Sequence, residues 1–328
     1  MANDDQVVLR SYLIDHPRAK PLVDGEIDSA GIAWQWLKPP SGGFRGVSSS
    51  DADVFEYSLS GYLLDVAHGG QDRHDWVALP TFLSRAYDVV AGLVSRDSLF
   101  GWEALKGKRL AVPDVGMTAA IWIRVVLREL YGFEDDAVSW LNIRQPEEMH
   151  TEELGIAYGL PGQHVGQVPK GAKPIELVAA GELDATLGLG DPSKMPANVH
   201  RLADAARLRE LSLEFTRRSG ATLTNHVVLI RRSLLDERPG IDRTIYDLLE
   251  ASKQRAYEQA REKLATIFVF PDAAIDAERE VFGEDPFPAG IKANRATLDA
   301  LMSQLLAEGQ LEAVLDDAAI FSPNLLAT

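Results

Sequence analysis

Runs of alternating apolar residues and runs of helical period follow one another along this chain. Residues 7–14 and 31–37 alternate and predict two strands, the second carrying Trp34 and Trp36 on one face. A Pro-, Gly- and Ser-rich loop is expected over 39–50. Residues 53–64, D-V-F-E-Y-S-L-S-G-Y-L-L, begin as a strand, break at 58–61 and continue as a helix led by Tyr62. Strands are expected at 76–82 and, from an apolar run of strand length, at 88–94. Residues 109–112 read as a short buried strand, followed by a Pro-Asp turn and a helix over 117–131. That helix sets Ala120, Ile123, Leu127, Leu130 and Tyr131 on one face and stops before Gly132.

Further on, residues 145–171 are polar and glycine-rich and predict a long irregular loop. A short helix at 175–180, ended by Gly181, leads into a strand at 183–189. The strand expected at 223–230 starts with Asn225 and His226, and a long helix over 239–264 carries Ile241, Ile245, Leu248, Leu249 and Ser252 on one face. The last helix has Asn294 as its expected cap, a stripe of Leu298, Leu301, Met302, Leu305 and Leu306, and Gly309 as its stop. The stripe reads as core rather than as a dimer seam, and homo-oligomerisation stays open. Strands alternating with helices give an α/β fold with sheets covered on both sides, and two such lobes place a ligand site in the crevice between them.

Composition narrows the partners. The 328 residues suffice for two lobes with real cores, and a formal net charge of −16 argues against nucleic acid and anionic membranes. A small anionic ligand is compatible with it, because a basic cleft can sit inside an acidic surface. The absence of cysteine removes disulfides, thiolate zinc sites and cysteine nucleophiles together. The acidic start, M-A-N-D-D-Q, shows no signal-peptide pattern and no apolar run reaches bilayer length, so a soluble, cytoplasmic protein is expected.

The stretch 107–124, G-K-R-L-A-V-P-D-V-G-M-T-A-A-I-W-I-R, holds the clearest binding signal. A helix opening at about Gly116 offers first-turn N–H groups, the Thr118 hydroxyl and the positive end of a dipole, a combination that attracts carboxylate or phosphate. The bland reading, an ordinary strand-turn-helix unit in which Gly116 relieves a tight turn, stands beside it. The histidines show no metal-ligand spacing of the H-E-x-x-H type, and no G-x-S-x-G elbow, Walker loop or dinucleotide fingerprint is present. No metal or cofactor is expected.

Several stretches resemble one family in the right order: S-L-S-G-Y (58–62), L-P-T-F-L-S-R (79–85), V-P-D-V-G-M-T-A-A-I-W-I-R (112–124), G-E-L-D-A (181–185), N-H-V-V-L-I-R-R (225–232) and G-E-D-P-F-P-A-G-I-K-A-N-R (283–295). Together they resemble the 4,5-dihydroxyphthalate decarboxylases over nearly the whole chain. The resemblance implies a two-lobed type II periplasmic-binding-protein-like fold, with mixed sheets flanked by helices and a ligand cleft between the lobes. Residues 1–90 and 224–328 would form a discontinuous first lobe and 91–223 the second, with crossovers near 88–94 and 223–230. The chain departs from the family pattern at Asp88 and Val89, where an Arg-His pair is usual. It departs again at Pro286, Phe287 and Ala289, where a Trp and a Tyr are lost, and around Asp15, Arg18 and Lys20.

The implied activity is non-oxidative decarboxylation of a hydroxylated aromatic, phthalate-like or related small carboxylic acid. Such chemistry needs the carboxylate held, a ring hydroxyl to release electron density, and a proton for the carbon that loses carbon dioxide. For holding, Arg18, Lys20, Arg85 and the helix start at Gly116, Met117 and Thr118 are the candidates, with Ser58, Ser60, Tyr62, Ser84 and Asn225 as polar ligands. For the proton, they are His226, Asp285 and Glu284. Against these stand a structural hydrogen-bonding His226, solvated loop acids at 284 and 285, and a capped helix start at 58–62. The alternative function is a non-catalytic solute-binding protein of the ABC-transporter type that closes on a small carboxylate.

Overall fold

Two mixed sheets carry the fold, one in each of two units: Met1–Ser84 with His226–Arg295 and Leu315–Thr328, and Arg85–Asn225 with Ala296–Val314. The computed structural model describes residues 6–14, 16–38, 51–85, 92–96, 99–149, 151–152, 154–156, 158–187 and 195–328. The expected loop at 39–50, together with Asp15, Asp88, Val89 and Gly188, lies outside the described residues.

In the first unit β1 (Val7–Tyr12), α1 (Lys20–Val23), β2 (Ile32–Trp36), β3 (Val54–Ser58), α2 (Leu59–Ala67) and β4 (Trp76–Leu79) follow in order. Trp34 and Trp36 stack with ring centroids 5.1 Å apart, as same-face residues of one strand do. The sheet order is β2-β1-β3-β11-β4, where β11 (His226–Arg231) is the returning strand. It pairs antiparallel with both β3 and β4, whereas β1 pairs parallel with β2 and β3. Strand β3 is therefore interior, and all five of its residues are buried. One face of the sheet packs Val54, Val77, Leu79, Val228 and Ile230 with Ile245 and Leu249 of the long helix.

That helix does not begin at Pro239. Residues Arg232–Glu237 form a short helix, α6, and α7 (Ile241–Ile267) starts afresh after Gly240, whose φ of 88° no helix continues through. A helix absent from the pattern reading, α8 (Pro271–Phe282), follows α7. Near the C-terminus lies α10 (Asp317–Ile320).

The second unit holds β5 (Leu93–Arg96), β6 (Arg109–Val112), α3 (Thr118–Tyr131), β7 (Ser139–Asn142), β8 (Gly166–Gln167), α4 (Pro174–Ala180), β9 (Ala185–Leu187), β10 (Val199–Arg201) and α5 (Ala205–Ser219). Its order is β10-β5-β9-β6-β7-β8, parallel from β9 to β8 and antiparallel around β5. The stretch 145–171 is thus more than an irregular loop, since Gly166 and Gln167 add an edge strand. Gly132 and Gly181 end α3 and α4 in the left-handed conformation that the pattern required of them.

Helix α9 (Arg295–Ala307) buries Leu298, Leu301, Met302 and Leu305. Residues 296–314 pack within the second unit, so everything after 224 does not fall in one unit. Asn294 does not cap α9. It sits in a preceding 3-10 turn, where its side-chain amide donates to the carbonyls of Pro288 and Gly290, both at 2.8 Å.

Candidate functional site

A grouping of titratable side chains in the first unit centres on Glu56. Val228 on β11 lies opposite Glu56 on one side and Leu79 on the other, so His226, two residues earlier, shares the face of Glu56. Nδ1 of His226 is 3.3 Å from Glu56 Oε1 and 3.1 Å from Ser84 Oγ, which follows the end of β4. Nε2 of His16, in the turn before α1, is 3.1 Å from the same Oε1. The other carboxylate oxygen accepts the backbone N–H of Ile14 at 3.1 Å.

Strand β11 and the turn before α1 thus converge on one β3 carboxylate whose side chain is wholly buried. Burial opposes its ionisation, but hydrogen bonds and charge from His16 and His226 outweigh this and hold the carboxyl down at about 2. A buried carboxylate without such partners would be costly, so the two imidazoles and the Ile14 N–H are what permit a Glu at the centre of the sheet. The imidazoles remain partly exposed, 15% for His16 and 23% for His226, and form the accessible side of the group. A cavity of about 160 Å³ opens beside His16, bounded by Leu13, Ile14 and Lys20 among others.

Ser58 caps α2, accepting from Gly61 N at 3.3 Å, and its hydroxyl is 3.4 Å from that of the buried Ser60. Tyr62 is buried, donates to the Ile320 carbonyl at 3.0 Å, and has its phenol pushed up by burial. Arg18 donates to the Leu83 carbonyl at 2.9 Å and lies 3.7 Å over the Phe287 ring. Asp285 accepts from Tyr257 and from Phe287 N, both at 2.9 Å, and pairs with buried Lys253 at 2.6 Å. Burial opposes its ionisation, and Lys253 overcomes that and lowers its pKa. Glu284 is 86% exposed and pairs with Arg279 at 3.3 Å. Of the three expected proton carriers, the structure brings only His226 into the Glu56 cluster. A larger recess of about 310 Å³ lies between α7 and α8, lined by Leu264, Ile275 and Phe287, and none of the Glu56 group borders it.

The second unit holds the remaining candidates. Helix α3 opens at Thr118 with Met117 in the cap position, and Gly116 N donates to Asp114 Oδ1 at 2.8 Å. Arg124, one helical stretch on, braces this turn by donating to the Val115 carbonyl at 2.9 Å, while its guanidinium pairs with Glu308 at 2.5 Å. Tyr158 donates to the same carboxylate, and its ring fills the space beside Gly116, where an added Cβ would come within 2.7 Å of Cδ2. Arg85 donates to Thr224 Oγ1 at 2.9 Å and bridges to that residue through the backbone. Asn225 is buried at the end of this unit. The sequence reading passed over Glu56 and His16. The available signal was a carboxylate between two aromatics, Phe55 and Tyr57, which has to be paired if the strand is interior.

No family profile matches the chain. Among curated proteins, it is 27% identical over 322 residues to a 4,5-dihydroxyphthalate decarboxylase of Comamonas testosteroni, covering 95% of each chain. It is 32% identical over 183 residues to the 4,5-dihydroxyphthalate decarboxylase of Pseudomonas putida, covering 55% of this chain and 69% of the relative. Among solved structures, the periplasmic aliphatic sulphonate binding protein SsuA of Escherichia coli superposes with a TM-score of 0.52 at 11% identity, over 98% of this chain and 93% of that one. That likeness shows the fold, a periplasmic-binding-protein fold, and nothing of the ligand.

Proposed function

The chain belongs to the 4,5-dihydroxyphthalate decarboxylase family and is a decarboxylase, and on that premise we propose that it removes carbon dioxide from a hydroxylated, phthalate-like aromatic acid by protonating the ring at the His226 group. The observation that carries this reading is the partly exposed His226 imidazole, held between Ser84 Oγ at 3.1 Å and the buried Glu56 carboxylate at 3.3 Å. An imidazole so oriented is an ordinary carrier of a proton in general acid–base catalysis.

The reaction asks little else of the protein. A ring hydroxyl para to the departing carboxyl raises electron density at the carbon that accepts the proton. The carbon–carbon bond to the carboxylate then breaks, its electron pair returns to the ring, and carbon dioxide leaves. Glu56 acts as a positioning residue, fixing the ring of His226 and supplying a counter-charge in a water-excluded setting.

The test is turnover of a panel of hydroxylated aromatic diacids, read as released carbon dioxide. His226→Ala should lower kcat by about 10²–10⁴, the range a general acid contributes, while substrate affinity stays within a few-fold. Tight binding of the panel without any carbon dioxide release by the unaltered protein would replace this reading with solute binding.

A further inference from the structure

Three donor atoms from separate parts of the chain meet in the first unit: His16 Nε2, Glu56 Oε1 and His226 Nδ1, all within 4.8 Å of one another. Both nitrogens approach the same carboxylate oxygen, at 3.1 and 3.3 Å. Bonds of about 2.0–2.2 Å from a first-row divalent cation to N and O donors give tetrahedral or octahedral edges of about 3–3.5 Å. The two measured edges fall within that span, so one cation can contact all three atoms with small side-chain adjustments.

We infer that His16, Glu56 and His226 form a site for one divalent transition-metal cation, with its remaining coordination positions directed to the partly exposed imidazole side. The donor set is two imidazoles and one carboxylate, which suits zinc, iron, cobalt or manganese and is nitrogen-rich for magnesium or calcium. Part of the outer shell is in place, because Ile14 N–H holds the non-ligating oxygen of Glu56 at 3.1 Å, while Ser84 Oγ, 3.1 Å from Nδ1 of His226, would give up that contact to the cation. The carboxylate is buried and each histidine is partly open, so an ion enters from the side where a ligand would follow. The cavity of about 160 Å³ beside His16 leaves room for water or ligand oxygen there.

The class of ligand follows from the proposed decarboxylase reading, on which this part alone rests. A cation with adjacent open positions chelates two neighbouring oxygens, either the paired hydroxyls or the paired carboxylates of a phthalate-like ring. With the cation bound, the ligating nitrogens carry no proton.

The test is titration of the full-length, chelator-treated protein with zinc by calorimetry and with cobalt by visible absorption. One equivalent should bind, and His16→Ala and Glu56→Gln should each weaken it by more than about 100-fold, beyond the loss of an outer partner. Far-UV circular dichroism and thermal melting establish that each variant is folded, and His16→Asn replaces any that is not. The surface variant His68→Ala should bind as the unaltered protein does. Sub-stoichiometric binding, or equal binding by the His16 and Glu56 variants, overturns the site. A change in the cobalt spectrum on adding a vicinal dihydroxy aromatic diacid supports chelation, and an unchanged spectrum removes it. Metal binding without carbon dioxide release would defeat only the decarboxylase reading, whereas full turnover in chelator-treated protein that binds no metal would defeat only this one.

Discussion

Nδ1 of His226 stands 3.3 Å from Oε1 of Glu56, on adjacent antiparallel strands of one sheet. The pairing turns a strand-end histidine into an oriented group, because a wholly buried carboxylate has few other places to find a partner. Replacing Glu56 by Gln keeps the size and removes the charge. The expected result is a kcat lowered by about 100-fold, the lower end of what acid catalysis contributes, with KM changed only a few-fold. A KM effect as large as the kcat effect would assign Glu56 to substrate binding instead.

His226 was legible before the structure, because it opens an apolar strand and lies in a stretch, N-H-V-V-L-I-R-R, shared with a recognisable family. Glu56 was not. Alternation assigns a lone acid in a strand to the solvent face, and only the order β1-β3-β11 makes that strand interior. His16 was hidden for a related reason: its partner is distant in sequence, and no local spacing encodes the meeting. Helix α3 was readable nearly to the residue, since Gly132 and the apolar face punctuate it. Helix α6 has no counterpart in the expected pattern, and α7 begins at Ile241 and not at Pro239, because Gly240 holds a left-handed φ of 88°.

Asp285 was expected among the proton carriers, yet its carboxylate pairs with Lys253 at 2.6 Å, and the Lys253 side chain is 2% exposed. Asp285→Asn should therefore lower stability by about 1–3 kcal/mol, the penalty for weakening a buried charged contact, while kcat on any substrate found stays within a few-fold. Glu284→Ala, at an exposed position, should change neither. Urea melts alongside steady-state rates check both. A kcat loss at Asp285 larger than the stability loss explains would restore it as a proton carrier.

Arg124 and Glu308 make a second buried ion pair, completed by Tyr158 and by Gln304, which donates to Glu308 at 2.6 Å. Burial opposes ionisation of Glu308, and Arg124 overcomes it, so its pKa in the folded protein lies below the ordinary carboxylate value of 4.5. Depression of a carboxyl pKa on folding contributes stability that is complete above the ordinary value and is lost as pH falls through the folded value. Glu308→Gln should therefore be destabilising at pH 7, by about 3–5 kcal/mol because it strands a buried guanidinium. The gap from the unaltered protein should narrow as pH falls below 4.5. Chemical denaturation from pH 7 to pH 3 checks this, and a gap that widens on acidification would show that the carboxyl is not ionised in the folded state.

At the α3 start the role of Gly116 is steric rather than conformational. A Cβ there would lie 2.7 Å from Cδ2 of Tyr158, and that ring is held by its hydroxyl on Glu308 and cannot swing aside freely. Gly116→Ala should thus cost about 1–3 kcal/mol, as overpacking of a filled core does, despite the usual gain from replacing glycine. Pairing it with Tyr158→Ala should recover part of the loss relative to Tyr158→Ala alone, because the colliding ring is gone. Thermal melts of the two single variants and the double variant form the cycle that reads this coupling. If Gly116→Ala costs the same with and without the Tyr158 ring, the close approach does not constrain the turn, and the preference for glycine there has another origin.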